Sequence, residues 1–133
     1  MSILTLEQAR IFKALGGEQN QWPQMVWERW RRSHSGLRDY IQILYAESPR
    51  DVGGHEHFAA PDVLTVLDWL EQEKGWHYDT ERYQSGTLMG KTWLAYPVDG
   101  HGLRLASPIR RSTPSALIDA VFARLRKQRE EAG

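Results

Sequence analysis

The last third of the chain places the strongest constraint on the fold. Two runs with strand composition, residues 87–97 and 103–107, flank a turn of sequence Asp-Gly-His-Gly at 99–102. Because a glycine-bearing turn between apolar runs is typical of a β-hairpin, the pattern predicts two antiparallel strands joined here. Thr113 then precedes Pro114. A threonine before a proline is typical of a helix start, since the hydroxyl caps orphan N–H groups and proline needs no donor there.

The segment before this hairpin predicts one more helix and one more strand. Pro61 and Asp62 have the composition of a helix start, and Gly75 that of a helix stop. Residues 76–83 alternate as in a half-buried strand, and the turn formers at 84–86 end it. The apolar face of the predicted helix consists of Val63, Val66, Leu67 and Leu70.

Residues 61–127 are therefore expected to follow the order helix, strand, strand, strand, helix. The expected fold class is α+β, with a three-stranded antiparallel sheet that carries two helices on one face. Residues 128–133 are expected to fray beyond the last helix. The apolar side chains of that last helix are Leu117, Ile118, Val121, Phe122 and Leu125.

A three-helix segment is predicted for residues 1–47. Thr5 and Gln8 have the spacing of a capping box, and two glycines at 16–17 are typical of a helix end. A second helix is predicted from Pro23 to about residue 32, and an apolar stripe over 37–45 predicts a third. Residues 48–60 are rich in turn formers, which predicts a loop and an internal boundary between domains.

Composition and charge exclude several classes of protein. The chain has no cysteine, which excludes disulfides, zinc–thiolate sites and thiol catalysis. Its 17 basic and 17 acidic residues give no net charge, which argues against a general nucleic-acid binder. No signal-peptide pattern and no apolar run of about 20 residues is present, so a cytoplasmic protein without a membrane partner is expected.

Charge is nevertheless unevenly distributed along the chain. Residues 48–75 carry two basic and six acidic side chains, a net charge of −4. Residues 108–133 carry six basic and three acidic side chains, a net charge of +3. This asymmetry leaves room for local charged surfaces on a neutral protein.

No pattern of catalytic residues is recognisable. The nucleophile-elbow, P-loop and dinucleotide-binding motifs are absent from the sequence, so neither an enzyme nor a cofactor is predicted. His55, His57, His77 and Asp79 have side chains that bind metals. Their spacing matches no metal motif, however, and a solvated loop is the interpretation that we prefer over a metal-dependent enzyme.

Arginine and tryptophan are concentrated between residues 27 and 38. Together these side chains suit phosphate binding and base stacking, so a nucleic-acid-binding module is the main alternative function. The competing interpretation is that the apolar side chains pack inward while the arginines extend along the surface. The residues concerned are Trp27, Arg29, Trp30, Arg31, Arg32, His34 and Arg38.

Three further side chains are candidates for partner binding. Trp69 lies about 130° from the apolar stripe of its helix, so the ring is either covered by the N-terminal segment or exposed for binding. Arg110 and Arg111 precede a helix start, where the helix dipole gives them no stabilisation. They are therefore candidates for contact with an anionic partner.

Two resemblances accompany these patterns. The order of elements over 61–127 resembles the double-stranded-RNA-binding domain, but the segments 84–86 and 112–116 lack that family's binding motifs, so only topology is implied. Residues 90–95 and 112–120 resemble small bacteriophage and prophage proteins that have a Trp-bearing strand and a Thr-Pro-x-x-Ala helix. The second resemblance implies an accessory protein with no catalytic residue.

The sequence thus predicts a small non-enzymatic accessory protein that binds another protein. The expected contact surface draws on Trp27, Arg31, Trp69 and the sheet face opposite the helices. The alternative is nucleic-acid binding through Arg29, Arg31, Arg32 and Arg38.

Overall fold

Two compact units make up the chain, Met1–Asp62 and Val63–Gly133. The computed structural model describes residues 3–19, 24–32, 36–44 and 55–132. The predicted α+β class is confirmed. The elements are α1 (Leu6–Ala14), β1 (Gln24–Arg32), β2 (Gly36–Leu44), β3 (His55–Ala59), α2 (Val63–Lys74), β4 (Trp76–Ser85), β5 (Leu88–Pro97), β6 (Ile109–Arg111) and α3 (Pro114–Ala132).

Helix α1 begins and ends where the sequence predicts. The Thr5 hydroxyl accepts the Gln8 N–H at 3.2 Å, and the Gln8 side chain accepts the Thr5 N–H at 2.9 Å, which confirms the capping box. At the other end the Gly17 N–H donates to the Phe12 carbonyl at 2.8 Å. This bond belongs to a Schellman motif, which supplies N–H donors to carbonyls of the last turn that have no hydrogen-bond partner within the helix.

The predictions of a second and a third helix are wrong, because both segments form β-strands. β1 pairs with β2 on one side and with β3 on the other, antiparallel in both cases, and the sheet order is β2-β1-β3. Short apolar runs fit helical and strand periods alike, and pairing with a neighbouring strand decides between them. β3 lies inside the predicted 48–60 loop, so that prediction is wrong over residues 55–59.

The start of the first unit is tied to both its sheet and its end. Ile3 forms a bridge with Asp62, and the Leu4 N–H donates to the Pro61 carbonyl at 3.1 Å. The Trp27 indole N–H donates to the Leu4 carbonyl at 2.9 Å. Leu4 itself is fully buried. These bonds hold the segment before α1 against β1.

The second unit has the predicted order of helix, three strands and helix, but its third strand lies elsewhere. The sheet order is β4-β5-β6, and β6 is Ile109–Arg111 instead of residues 103–107. Residues 98–105 form a small extension of β5, in which Val98 and Arg104 make an isolated bridge. The turn predicted at 99–102 is present, because the Asp99 N–H donates to the Leu103 carbonyl and the Leu105 N–H to the Pro97 carbonyl across it. Only the extension of residues 103–107 into a strand of the main sheet is wrong.

Both helices of the second unit contact its sheet and each other. The Thr113 hydroxyl accepts the Ala116 N–H at 3.1 Å, which confirms the predicted start of α3. The helix continues to Ala132, beyond the predicted bound at residue 127, and fraying of its last residues stays a prediction. The core of the second unit consists of Val63, Val66, Leu67, Leu70, Trp76, Leu94, Ala95, Leu117, Ile118, Val121, Phe122 and Leu125.

Gly17 provides a test of the close packing at the end of α1. A Cβ atom at this position would overlap the buried ring of Phe12. We expect Gly17→Ala to lower the free energy of unfolding by about 1–3 kcal/mol, because the ring cannot move without displacing the core. Urea denaturation followed by circular dichroism measures this change.

Gly100→Ala is the matched control, because a Cβ atom there meets nothing within 4 Å. Its unfolding free energy should stay within about 0.5 kcal/mol of the parent. A Gly17→Ala protein that is as stable as Gly100→Ala would contradict the packing described at Phe12.

Candidate functional site

An open groove lies between α2 and β4 in the second unit. Gly75 is the only residue between these elements, with φ at +68°, so the chain reverses at once and the helix lies beside the strand. The groove has a volume of about 400 Å³. Its lining residues are Leu64, Glu71, His77, Tyr78, Asp79, Thr80 and Trp93.

Two side-chain hydrogen bonds join the walls of this groove. The Tyr78 hydroxyl donates to Asp68 Oδ1 at 2.5 Å. His77 Nδ1 and Glu71 Oε2 are 2.7 Å apart. Asp68 and Glu71 are three residues apart on α2 and therefore share one face of the helix. The two bonds fix the face of α2 that lies along β4.

The bond to Asp68 keeps Tyr78 protonated over a wide pH range. It raises the pKa of Tyr78 from 10.0 to about 12, and partial burial and the negative charges of Asp68 and Glu71 act in the same direction. A hydrogen bond that the neutral phenol donates is lost when the phenol ionises, and a phenolate beside two carboxylates would be repelled. Tyr78 therefore acts as a hydrogen-bond donor here.

His77 also contacts an aromatic side chain on the neighbouring strand β5. Its ring centroid is 5.3 Å from that of Tyr96, with the planes tilted by 54°. The Arg104 guanidinium lies 4.2 Å from the centroid of the Tyr96 ring. The side chains of His77 and Glu71 are 41% and 44% exposed, so we assign their contact no more than about 1 kcal/mol. Their contacts matter more for position than for stability.

The groove combines apolar surface with negative charge. Leu64 is 49% exposed, and Trp93 is half-buried beneath the Lys91 ammonium, which lies 4.8 Å from the centre of its ring. Glu71 and Asp79 are the acidic residues of the lining. Such a surface suits a side chain that joins an apolar stem to a positive charge.

The two tryptophans predicted to bind a partner have internal contacts. Trp27 is partly buried and donates its indole N–H to the Leu4 carbonyl at 2.9 Å, so it helps to hold the first unit together. Trp69 is partly buried, with the Lys74 ammonium 5.5 Å from the centre of its ring. Neither residue lines the groove.

The predicted arginine cluster is distributed over two strands instead of two helices. Arg29, Arg31 and Arg32 lie on β1, and Arg38 lies on β2 opposite Trp30. Because neighbouring strand residues alternate between faces, positions 29 and 31 share one face and position 32 belongs to the other. The helical surface on which the nucleic-acid alternative was based does not exist, and binding by these residues stays a prediction.

Arg110 and Arg111 lie on β6 and have partners within the chain. Arg110 is 3.5 Å from Glu81, with both side chains about half exposed. Arg111 Nη1 donates to the Arg110 carbonyl at 2.6 Å. The pairing with Glu81 reduces the charge that Arg110 offers to an anionic partner.

The histidines predicted as possible metal ligands lie on strands of two different units. His55 lies at the start of β3 and His57 within it, whereas His77 lies on β4 in the other unit. Within residues 3–19, 24–32, 36–44 and 55–132, no three His, Asp or Glu side chains are grouped as metal ligands. His77 instead contacts Glu71.

Sequence reasoning singled out His77 and Asp79 only as possible metal ligands and missed the other side chains that line the groove. The signal was available in the single glycine between the predicted helix and strand, which makes the two elements neighbours. Helix positions 68 and 71 then face strand positions 77 and 78.

Comparisons with models of protein families, with curated proteins and with solved structures gave no match to this chain. The resemblances to phage proteins and to the double-stranded-RNA-binding topology therefore stay interpretations of the sequence. Among the helices that the structure describes, none has the length and apolar character needed to cross a membrane.

The Tyr78–Asp68 bond makes a testable prediction about pH. The pKa of Tyr78 is raised on folding, so the bond stabilises the folded state fully below pH 10 and is lost as the pH rises from 10 towards 12. We expect Asp68→Ala to lower this pKa towards 10, which a spectrophotometric titration of tyrosinate measures.

Tyr78→Phe identifies which of the tyrosines is responsible for the shifted component. Glu73→Ala is the matched control, because it removes a carboxylate from the same helix but not from the bond. If the high-pH component survives in Asp68→Ala and disappears in Glu73→Ala, the assignment of this bond is wrong.

Proposed function

We propose that this protein binds another protein through the groove between α2 and β4. The ligand is a segment of a partner that presents lysine or arginine beside apolar side chains. One observation supports this most directly: an exposed Leu64 and the ring of Trp93 lie in the same groove as the carboxylates of Glu71 and Asp79.

The apolar part of the groove would supply most of the affinity. Full burial of a leucine side chain contributes about 1.5–3 kcal/mol, and exposed charge pairs contribute about 0.2–1 kcal/mol each. Glu71 and Asp79 would therefore act mainly on the choice of partner and on the rate of association.

The charge of the groove favours a protein ligand over a nucleic acid. Phosphates would be repelled by Glu71 and Asp79, and by Asp68 on the adjacent turn of α2. The open form of the groove suits a chain segment lying across it better than an enclosed small molecule. Helix α2 itself carries Asp68, Glu71 and Glu73 against Lys74, a net charge of −2 that extends the same preference along the helix.

A short synthetic peptide in which lysine alternates with leucine tests this proposal. We expect the peptide to bind the full chain, with an affinity that falls as the salt concentration rises. Asp79→Asn should weaken binding about two- to fivefold. Leu64→Ser should weaken it about fivefold or more, because it removes the most exposed apolar contact. Fluorescence anisotropy of the labelled peptide measures both effects.

Glu130→Gln is the matched charge control, because this exposed residue of α3 lies outside the groove. A peptide in which glutamate replaces lysine should bind much more weakly. Equal binding of the two peptides, or equal effects of Asp79→Asn and Glu130→Gln, would refute the assignment of the groove.

A further inference from the structure

The segment 98–105 forms a stiff projection beyond the end of β5. The Asp99 side chain accepts the N–H groups of His101 at 2.8 Å and of Leu103 at 2.9 Å. The Asp99 N–H in turn donates to the Leu103 carbonyl at 2.9 Å, and the Leu105 N–H donates to the Pro97 carbonyl at 2.9 Å. These bonds hold the tip in one conformation, which reduces the entropy lost when it binds.

Two leucines extend from this projection into solvent. Leu103 is 65% exposed and Leu105 is 63% exposed. In an extended chain, residues two apart lie on the same side, about 7 Å from one another. Arg104, between them, lies over the Tyr96 ring instead. The projection therefore presents an apolar pair with a guanidinium beside it.

The groove between α2 and β4 is the complementary surface on the same molecule. Leu64 is an exposed apolar residue of the groove, and Leu103 and Leu105 are exposed apolar residues of the projection. An exposed apolar residue is ordinary alone, but two matching sets point to contact between them.

The charges of the two surfaces are also opposite. The groove carries Glu71 and Asp79, with Asp68 beside it. The projection offers the Arg104 guanidinium, whereas its one acidic side chain, Asp99, is already bonded to the N–H groups of His101 and Leu103. A guanidinium exposed on one copy is attracted to the carboxylates that line the groove of another.

We infer that the projection of one copy of this protein docks in the groove of a second copy. Leu103 and Leu105 lie against Leu64 and Trp93, and Arg104 lies near Glu71 or Asp79. Mutual exchange of projections gives a closed dimer, whereas a one-way contact continues into a ring or a filament. This inference rests on the proposed function of the groove, and it names one ligand of that groove.

Sedimentation velocity over a range of protein concentrations tests the inference. The parent chain is expected to associate reversibly. Leu64→Ser and the double variant Leu103→Ser with Leu105→Ser should each weaken association about tenfold or more. Tyr83→Ser removes an exposed apolar side chain outside both surfaces and should leave association unchanged. Circular dichroism and the unfolding midpoint check that each variant is folded.

Mixing the two defective variants gives the decisive measurement. The Leu64→Ser chain keeps its projection and the double variant keeps its groove, so the mixture should form heterodimers that neither variant forms alone. A parent that associates while the mixture does not would overturn the inference. A parent that stays monomeric at every concentration would also overturn it.

The peptide experiment separates this inference from the function on which it rests. A monomeric parent that still binds the lysine–leucine peptide refutes self-docking and leaves the proposed function intact, whereas loss of both refutes both. Exposed leucines beside an arginine also suit binding to an anionic membrane surface. Flotation with vesicles containing phosphatidylserine tests for such binding. Vesicle binding that depends on Leu103 and Leu105, without self-association, would assign the projection to a membrane surface and overturn the inference.

Discussion

The second unit depends on the chain reversal at Gly75. Only this residue separates α2 from β4, and its positive φ lets the backbone turn without the steric penalty of a side chain. Its carbonyl also accepts the Val98 N–H at 2.8 Å, so the same residue is bonded to the base of the 98–105 projection. The groove and the projection are both positioned from this point.

Two side-chain contacts, Tyr78–Asp68 and His77–Glu71, connect α2 to β4. Tyr78 stays an uncharged donor to Asp68, which gives the two elements a fixed spacing. Glu71 and His77 are 44% and 41% exposed, and their pairing contributes little to stability. Both contacts reach solvent, so they act mainly by positioning α2 along β4.

The sequence allowed good prediction wherever local chemistry decided the structure. The capping box at Thr5, the glycine stops after α1 and α2, and the Thr113 start of α3 depend on residues close together in the chain. β1, β2 and β3 could not be predicted in this way, because their strand form depends on hydrogen bonds to distant partners. The groove was missed for a related reason: Asp68 and Glu71 look like solvent-facing helix residues until β4 lies beside them.

The bond from the Trp27 indole to the Leu4 carbonyl has a practical consequence. The acceptor of this bond, the Leu4 carbonyl, belongs to the short segment just before α1. Removing residues through Leu4 would leave the indole N–H facing a site without its acceptor, a change that costs about 1–3 kcal/mol when the group is not solvated. Truncations that remove Leu4 therefore act on the β1 sheet directly.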